Sequence, residues 1–165
     1  MELARTTSAA APPPPRTRLP REIPPLWLLV AIAAMLALHF AWPLARVVPW
    51  PWTQFGWVLQ AAAMVVMLAG LRRFVRIGTG VRPFSPVRGL VVDGPYRWTR
   101  NPMYVGLVAV TVGIALCLGT LSPWLVPPSL FAVLDRRFVR REEIFLREHF
   151  GDPYVAYCAD VRRWL

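Results

Sequence analysis

Four apolar runs alternate with arginine-rich connections along the 165 residues of this chain. They cover residues 26–40, 55–71, 103–121 and 124–134. A helix needs about 20 residues to cross roughly 30 Å of hydrocarbon, so the first three runs qualify together with their flanking residues. The fourth run is short, but a helix that continues past Asp135 would complete it. The pattern predicts an all-α polytopic membrane protein with about four transmembrane helices.

Prolines mark a candidate tail and a candidate kink. Residues 1–22 contain four consecutive prolines and no long apolar run, which predicts a disordered tail ahead of a membrane domain over residues 23–165. Pro127 and Pro128 lie inside the fourth apolar run. Because proline lacks a backbone donor and crowds the preceding turn, the pair predicts a kink in that helix.

The composition supports a membrane protein and suggests its orientation. Hydrophobic residues make up 56% of the chain and charged residues 17%, against about 25% charged residues in soluble proteins. Four crossings with both termini in the cytoplasm place all of the 19 arginines except Arg46 on the cytoplasmic side. Such arginines face anionic headgroups, so the net charge of +10 predicts no nucleic-acid partner. The absence of lysine indicates a bacterial protein, and therefore the bacterial inner membrane.

A helix start at Asn101 is the first candidate site. Asn101 is a good N-cap and Pro102 suits the first helical position. The free N–H groups of such a start, flanked by Arg97 and Arg100, could bind a carboxylate or a phosphate. The alternative is a capped transmembrane helix whose arginines face headgroups.

Two carboxylates further along the chain form the second candidate site. At helical spacing, Glu142 falls in the middle of an apolar face that includes Phe138 and Phe145, and Glu143 falls at the edge of that face. A buried carboxylate needs a cationic partner, a ligand or a functional role. The alternative to function is an internal ion pair with a loop arginine such as Arg97 or Arg100.

Small and aromatic residues complete the pattern. Gly151 is expected to end the helix that carries Glu142, and Tyr154 then shares a face with Tyr157, to stack on a base or to pack at the interface. A stripe of small residues in the third run predicts close helix packing. The stripe consists of Gly106, Ala109, Gly113 and Cys117.

Two of these segments resemble a known family. Residues 100–106, Arg-Asn-Pro-Met-Tyr-Val-Gly, are similar to the Arg-His-Pro-x-Tyr-x-Gly signature of isoprenylcysteine carboxyl methyltransferases and related phospholipid methyltransferases. Residues 137–157 are similar to the Arg-Phe…Glu-Glu…Phe-Gly-x-x-Tyr-x-x-Tyr block of the same family. The resemblance extends over residues 79–163, the expected catalytic core. Asn101 departs from it, because it stands where the family most often has histidine, and asparagine does not titrate near neutral pH.

The resemblance implies S-adenosylmethionine as cofactor, bound on the cytoplasmic face beneath a helical C-terminal segment. It implies methyl transfer to a lipophilic acceptor that enters from the lipid: an isoprenylcysteine-like carboxylate, a lipid, or a small thiol or amine. No metal is implied, and the oligomeric state stays open. The implied catalytic residues are Arg100, Tyr104 and Glu142. The implied cofactor-binding residues are Arg97, Arg100, Asn101, Pro102, Tyr104, Glu142, Glu143 and Tyr154.

Two other functions remain compatible with the sequence. Membrane reductases of the sterol-reductase type share a related Arg-His-Pro-x-Tyr helix and use a nicotinamide cofactor. Several of them have an acidic residue after the glycine of this motif, whereas Leu107 follows Gly106 here. The third possibility is a non-catalytic membrane protein, which Asn101 permits and the glutamate pair disfavours.

Overall fold

The computed structural model describes residues 23–76 and 89–165. The predicted tail over residues 1–22 and the start of the predicted catalytic core at residue 79 lie outside these ranges. Within them the chain forms helices and no β-strand, which confirms the all-α class. The six α-helices of this described part are Pro24–Ala41 (α1), Phe55–Arg76 (α2), Pro102–Leu118 (α3), Val126–Leu134 (α4), Arg140–Phe150 (α5) and Asp152–Asp160 (α6).

The first four helices alternate in direction. The start of α2 packs against the end of α3, since Gly56 abuts Gly113, and the end of α2 packs against the start of α3, since Gly70 lies beside Met103. The end of α1 meets the connection before α4, where the Ser122 hydroxyl donates to the Trp42 carbonyl oxygen at 2.7 Å. One end of the bundle therefore collects the start of α3, the end of α4, and α5 and α6. Because 12 of the 13 described arginines lie at this end, we call it the arginine end.

Lipid-facing character is clearest on α1 and α2. Pro24–Ala41 and Trp52–Arg76 are long and apolar enough to cross a membrane, and α3 is a shorter apolar helix of 17 residues. Only 17% of each of the two long windows is buried, so their apolar side chains point outward. Leu29, Val58 and Val65 are each more than 60% exposed. Such a surface fits a hydrocarbon solvent better than the core of a soluble protein.

The double proline lies in the first turn of α4, directly after the 3₁₀ turn Ser122–Leu125, rather than in the middle of a helix. At these positions the missing N–H groups of Pro127 and Pro128 have no intrahelical partner to lose. The π-helical segment Asp135–Val139 joins α4 to α5. The buried Asp135 in this segment accepts hydrogen bonds from Arg140 Nε at 2.6 Å and Trp164 Nε1 at 3.2 Å.

Small residues bring α2 and α3 into close contact, as the stripe predicts. A Cβ atom added at Gly56 would lie 2.4 Å from the Gly113 carbonyl oxygen and 2.5 Å from Cys117 Sγ. A Cβ atom added at Gly106 would lie 2.2 Å from Met67 Cγ. These contacts hold α2 and α3 at a fixed spacing.

We expect Gly56→Ala to destabilise the bundle by about 1–3 kcal/mol, because the added methyl group meets backbone and forces the helices apart. Gly70→Ala is the matched control in the same helix. Its Cβ would meet no atom closer than 3.5 Å, so alanine should stabilise α2 by up to about 1 kcal/mol through helix propensity. Thermal unfolding of both variants in detergent measures the difference. Equal behaviour of the two variants would contradict close packing at Gly56.

Candidate active site at the arginine end

A narrow cavity lies at the arginine end between the start of α3, α5, α6 and the 3₁₀ turn Gly94–Arg97. Its free volume is about 50 Å³, well below the roughly 300–1,000 Å³ of typical ligand pockets. Aromatic side chains and four charged or amide side chains share its wall. They are Phe74, Tyr96, Tyr104, Phe150, Tyr154 and Tyr157, with Arg100, Asn101, Glu142 and Glu143.

Glu142 reaches the cavity from α5 and contacts the first turn of α3. The Tyr104 hydroxyl donates to Glu142 Oε2 at 2.9 Å. Burial raises the pKa of the Glu142 carboxyl, the nearby Glu143 charge raises it further, and the tyrosine hydrogen bond opposes them. The inward orientation of Glu142 confirms the helical spacing, but its partner is a neutral hydroxyl rather than a loop arginine. An acid held in this way is poised to accept a cationic group.

Glu143 is the member of the pair that forms the ion pairs. Arg100 Nη2 lies 3.0 Å from Glu143 Oε1, and Arg163 donates to Glu143 Oε2 from Nη2 at 2.6 Å and from Nε at 2.9 Å. The side chains of Arg100 and Glu143 are only 12% and 14% exposed. The predicted arginine–glutamate pair therefore exists, but it joins Arg100 to Glu143 and not to Glu142.

Asn101 fastens the C-terminal tail, residues 161–165, to the start of α3. It occupies the N-cap position, but its side chain makes no capping bond, so that part of the prediction is wrong. Asn101 Nδ2 donates instead to the Arg163 carbonyl oxygen at 3.0 Å, and the Thr99 hydroxyl donates to the same oxygen at 3.1 Å. The Arg100 N–H donates to the Arg162 carbonyl oxygen at 2.9 Å. The tail therefore covers the N-terminus of α3, which the sequence predicted to be free to bind an anion.

Three tyrosines form the aromatic side of the cavity. Tyr154 and Tyr157 are both buried on one face of α6, as their spacing predicts. The Tyr157 hydroxyl donates to the Tyr96 carbonyl oxygen at 2.7 Å, and burial raises the pKa of Tyr157 to about 12. The Tyr96 hydroxyl is buried with no hydrogen-bond partner among the described residues, and burial raises its pKa as well. This free hydroxyl on the wall can bind a polar ligand group.

The structure brings together most, but not all, of the residues singled out by sequence. Pro102 lies buried in the cavity wall, whereas Arg97 is exposed and does not line the cavity. Tyr96 and Arg163 were missed. The tight Asp-Gly-Pro turn before Tyr96 could have indicated an inward side chain, but nothing in the sequence near Arg163 indicates its contact with Glu143.

Comparison with known proteins identifies relatives of this chain. The profile of the phospholipid methyltransferase family matches residues 52–153. A probable protein-S-isoprenylcysteine O-methyltransferase of Oryza sativa subsp. indica is 29% identical over 161 residues, covering 88% of this chain and 82% of the relative. Protein-S-isoprenylcysteine O-methyltransferase B of Arabidopsis thaliana is 29% identical over 122 residues, covering 66% of this chain and 59% of the relative.

A protein-S-isoprenylcysteine O-methyltransferase of Schizosaccharomyces pombe is 36% identical over 73 residues, covering 44% of this chain and 30% of the relative. No solved structure gives a significant match. These similarities favour methyl transfer over nicotinamide-dependent reduction. The family profile covers more than half of the chain, including the start of α3 and the glutamate pair on α5. The chain is therefore a membrane methyltransferase that belongs to the phospholipid methyltransferase family.

Proposed function

We propose that this protein transfers a methyl group from S-adenosylmethionine to a lipophilic acceptor at the cytoplasmic face of the membrane. The observation that carries the proposal is the convergence of Tyr104, Glu142 and the Arg100–Glu143 pair on one cavity in a chain of a methyltransferase family. The cavity lies at the arginine end, which is the end that the positive-inside rule assigns to the cytoplasm.

The residues present fit this cofactor. Its sulfonium, ammonium and carboxylate groups sum to one positive charge, and Glu142 is an acid of the wall with which no described arginine pairs, since Arg100 and Arg163 both pair with Glu143. The Tyr96 hydroxyl and Arg100 Nε are buried without hydrogen-bond partners among the described residues, so both are free for polar groups of a ligand. A cavity of about 50 Å³ must widen to admit the cofactor.

Each wall residue then has a proposed role. Glu142 holds the ammonium group or the ribose hydroxyls, with Glu143 beside it. Arg100 holds the carboxylate through its free Nε. Tyr104 and Tyr154 pack against the adenine. Of the remaining predicted cofactor residues, Pro102 shapes the wall, Asn101 acts through the tail, and Arg97 would reach the cofactor only if the 94–97 turn moved.

Methyl transfer needs positioning more than acid–base chemistry. When bound, the cofactor would supply an electrophilic methyl group on a sulfonium centre, and transfer of this methyl group to the acceptor would release the neutral thioether. Tyr154 and Tyr157 of α6 would exclude water from this side of the cavity, and Glu142 would orient the cationic side of the cofactor. The names of the family and of the relatives favour a lipid or an isoprenylcysteine-like carboxylate as the acceptor. Small lipophilic thiols and amines are the alternative acceptors, and each of these molecules would enter the cavity from the bilayer.

The antiparallel helices support four membrane crossings within one membrane domain over residues 23–165. The segment from the connection before α4 to the end of the π-helical segment, residues 122–139, is the proposed fourth crossing, and Arg136 and Arg137 near its end would extend to the cytoplasmic interface. Of the described arginines, only Arg46 lies at the opposite end. We propose the bacterial inner membrane, both termini in the cytoplasm, and a catalytic core from about residue 79 to residue 163, roofed by α6 and the tail.

This topology predicts that a cysteine placed at Thr53 is labelled from outside the cell, whereas one at Leu165 is labelled only after the membrane is permeabilised. Cys117 and Cys158 are first replaced by serine, with retained folding checked by thermal unfolding. The physical reason is the arginine bias, which orients the short loops. External labelling at Leu165 would contradict the cytoplasmic placement of the cavity.

The activity is tested directly on purified protein. We expect labelled S-adenosylmethionine to bind and NADPH not to bind, because the cavity offers acids for a cation and the family transfers methyl groups. Mass spectrometry of lipids and small lipophilic molecules, from cells with and without the protein, should show species that gain one methyl group. Binding of NADPH alone would support the reductase, and binding of neither would support a non-catalytic protein.

A further inference from the structure

A second, open groove lies on the side of the 94–97 turn that is opposite the cavity. Its volume is about 1090 Å³, and it runs between the second half of α2 and the turn. The wall is apolar at one end and basic at the other. The apolar end is formed by Val65, Val66 and Ala69, and the basic end by Arg72, Arg73, Arg76 and Arg97, with Asp93, Gly94, Pro95 and Trp98 between them.

The apolar and basic ends of the groove both come from one face of α2. Val65, Ala69, Arg72 and Arg76 follow one another at intervals of four, three and four residues, so they lie in a single row along the helix. At about 1.5 Å per residue the row is roughly 16 Å long. In a membrane, the half of the row with Val65 and Ala69 would face hydrocarbon, and the half with Arg72 and Arg76 would lie at the headgroup level. The exposed indole of Trp98 suits the same headgroup level.

The basic end contains more arginines than the described acids around it can neutralise. Asp93 is the single acid among the described residues of the wall, and it pairs with Arg73. No described acid pairs with Arg72, Arg76 or Arg97, which are all exposed. Three guanidinium groups at the end of an apolar row suit an amphiphile, because a soluble anion would leave the apolar half uncovered.

We propose that this groove binds an anionic phospholipid, separate from the methyl acceptor. Its phosphate lies among Arg72, Arg76 and Arg97, and an acyl chain lies along Val65 and Ala69. The 94–97 turn is the shared wall, since Gly94 and Pro95 face the groove while Tyr96 faces the cavity. A lipid bound in the groove would therefore stabilise the 94–97 turn, which also forms part of the cavity wall. This effect does not depend on which methyl acceptor the cavity binds.

Reconstitution in nanodiscs tests the site. The full-length protein is placed in phosphatidylcholine with and without a small fraction of phosphatidylglycerol, and retained lipid is measured by native mass spectrometry after release from the disc. The test variant carries Arg72→Gln, Arg76→Gln and Arg97→Gln. The control variant loses the same charge from exposed arginines at the same end of the molecule, by Arg136→Gln, Arg141→Gln and Arg147→Gln.

We expect wild type and control to retain phosphatidylglycerol, and the test variant to retain at least roughly tenfold less, since each lost arginine weakens attraction to the anionic headgroup. Arg76→Gln alone, at the end of α2, should give a smaller loss and serves if the triple variant does not fold. Inorganic phosphate should not displace the lipid. Equal retention by test and control variants, or displacement by inorganic phosphate, would overturn the proposal.

Discussion

Glu142→Gln is expected to weaken S-adenosylmethionine binding by about 1–3 kcal/mol, the range for a hydrogen bond to a charged group, without destabilising the fold. The amide keeps the shape of the acid and can still accept the Tyr104 hydroxyl, which bonds Glu142 Oε2 at 2.9 Å. What it loses is the negative charge that a cationic cofactor requires. Equilibrium binding and thermal unfolding, measured on the same preparation, separate the two effects.

The pH dependence of stability gives an independent check on Glu142. Burial raises the pKa of its carboxyl, so the folded protein holds this proton at pH values where the unfolded chain has lost it. Stability therefore falls as the pH rises from the ordinary glutamate pKa to the raised one. Glutamine removes this contribution, so the unfolding temperature of the variant should vary less over that window and should equal or exceed that of wild type at neutral pH. Unchanged binding together with lower stability would make Glu142 a structural residue only.

Glu143→Gln is expected to give the opposite result: a loss of about 3 kcal/mol in the free energy of unfolding. The substitution leaves the Arg100 guanidinium, whose side chain is 12% exposed, with the Cys158 carbonyl oxygen at 3.3 Å as its remaining described polar contact. The amide oxygen can still accept from Arg163, but the amide NH2 group then faces Arg100, and both guanidinium groups lose their negative partner. Removing one partner of a buried ion pair costs more than the pair contributes, because an uncompensated charge stays buried.

Glu148→Gln is the matched control for this second prediction. Glu148 lies exposed on the same helix, α5, and its substitution should change the free energy of unfolding by no more than about 0.5 kcal/mol. Chemical unfolding in a mild detergent compares the two variants. Similar small effects at both positions would show that Glu143 is solvated in the protein and that the tail is held by other contacts.

Local features of the molecule could be predicted from the sequence alone. Runs of apolar residues predicted α1 to α4 to within a few residues, as in α2, which was expected over residues 55–71 and spans Phe55–Arg76. Helical spacing placed Glu142 on the inward face of α5 and Tyr154 beside Tyr157 on α6. The small-residue stripe on α3 predicted close helix packing, and its Gly113 lies against Gly56 of α2. Periodicity carries this information because a helix fixes which side chains share a face.

Only the tertiary structure decided which groups pair. Spacing left Arg97 and Arg100 equally available to Glu142, yet the fold joins Arg100 to Glu143 and gives Tyr104 to Glu142. The bond from Asn101 to the Arg163 carbonyl spans 62 positions, and no local pattern records it. Partners of this kind depend on how whole helices pack and where a tail docks. Those positions are set by the summed burial of many side chains, whereas sequence periodicity reports only the direction in which each one points.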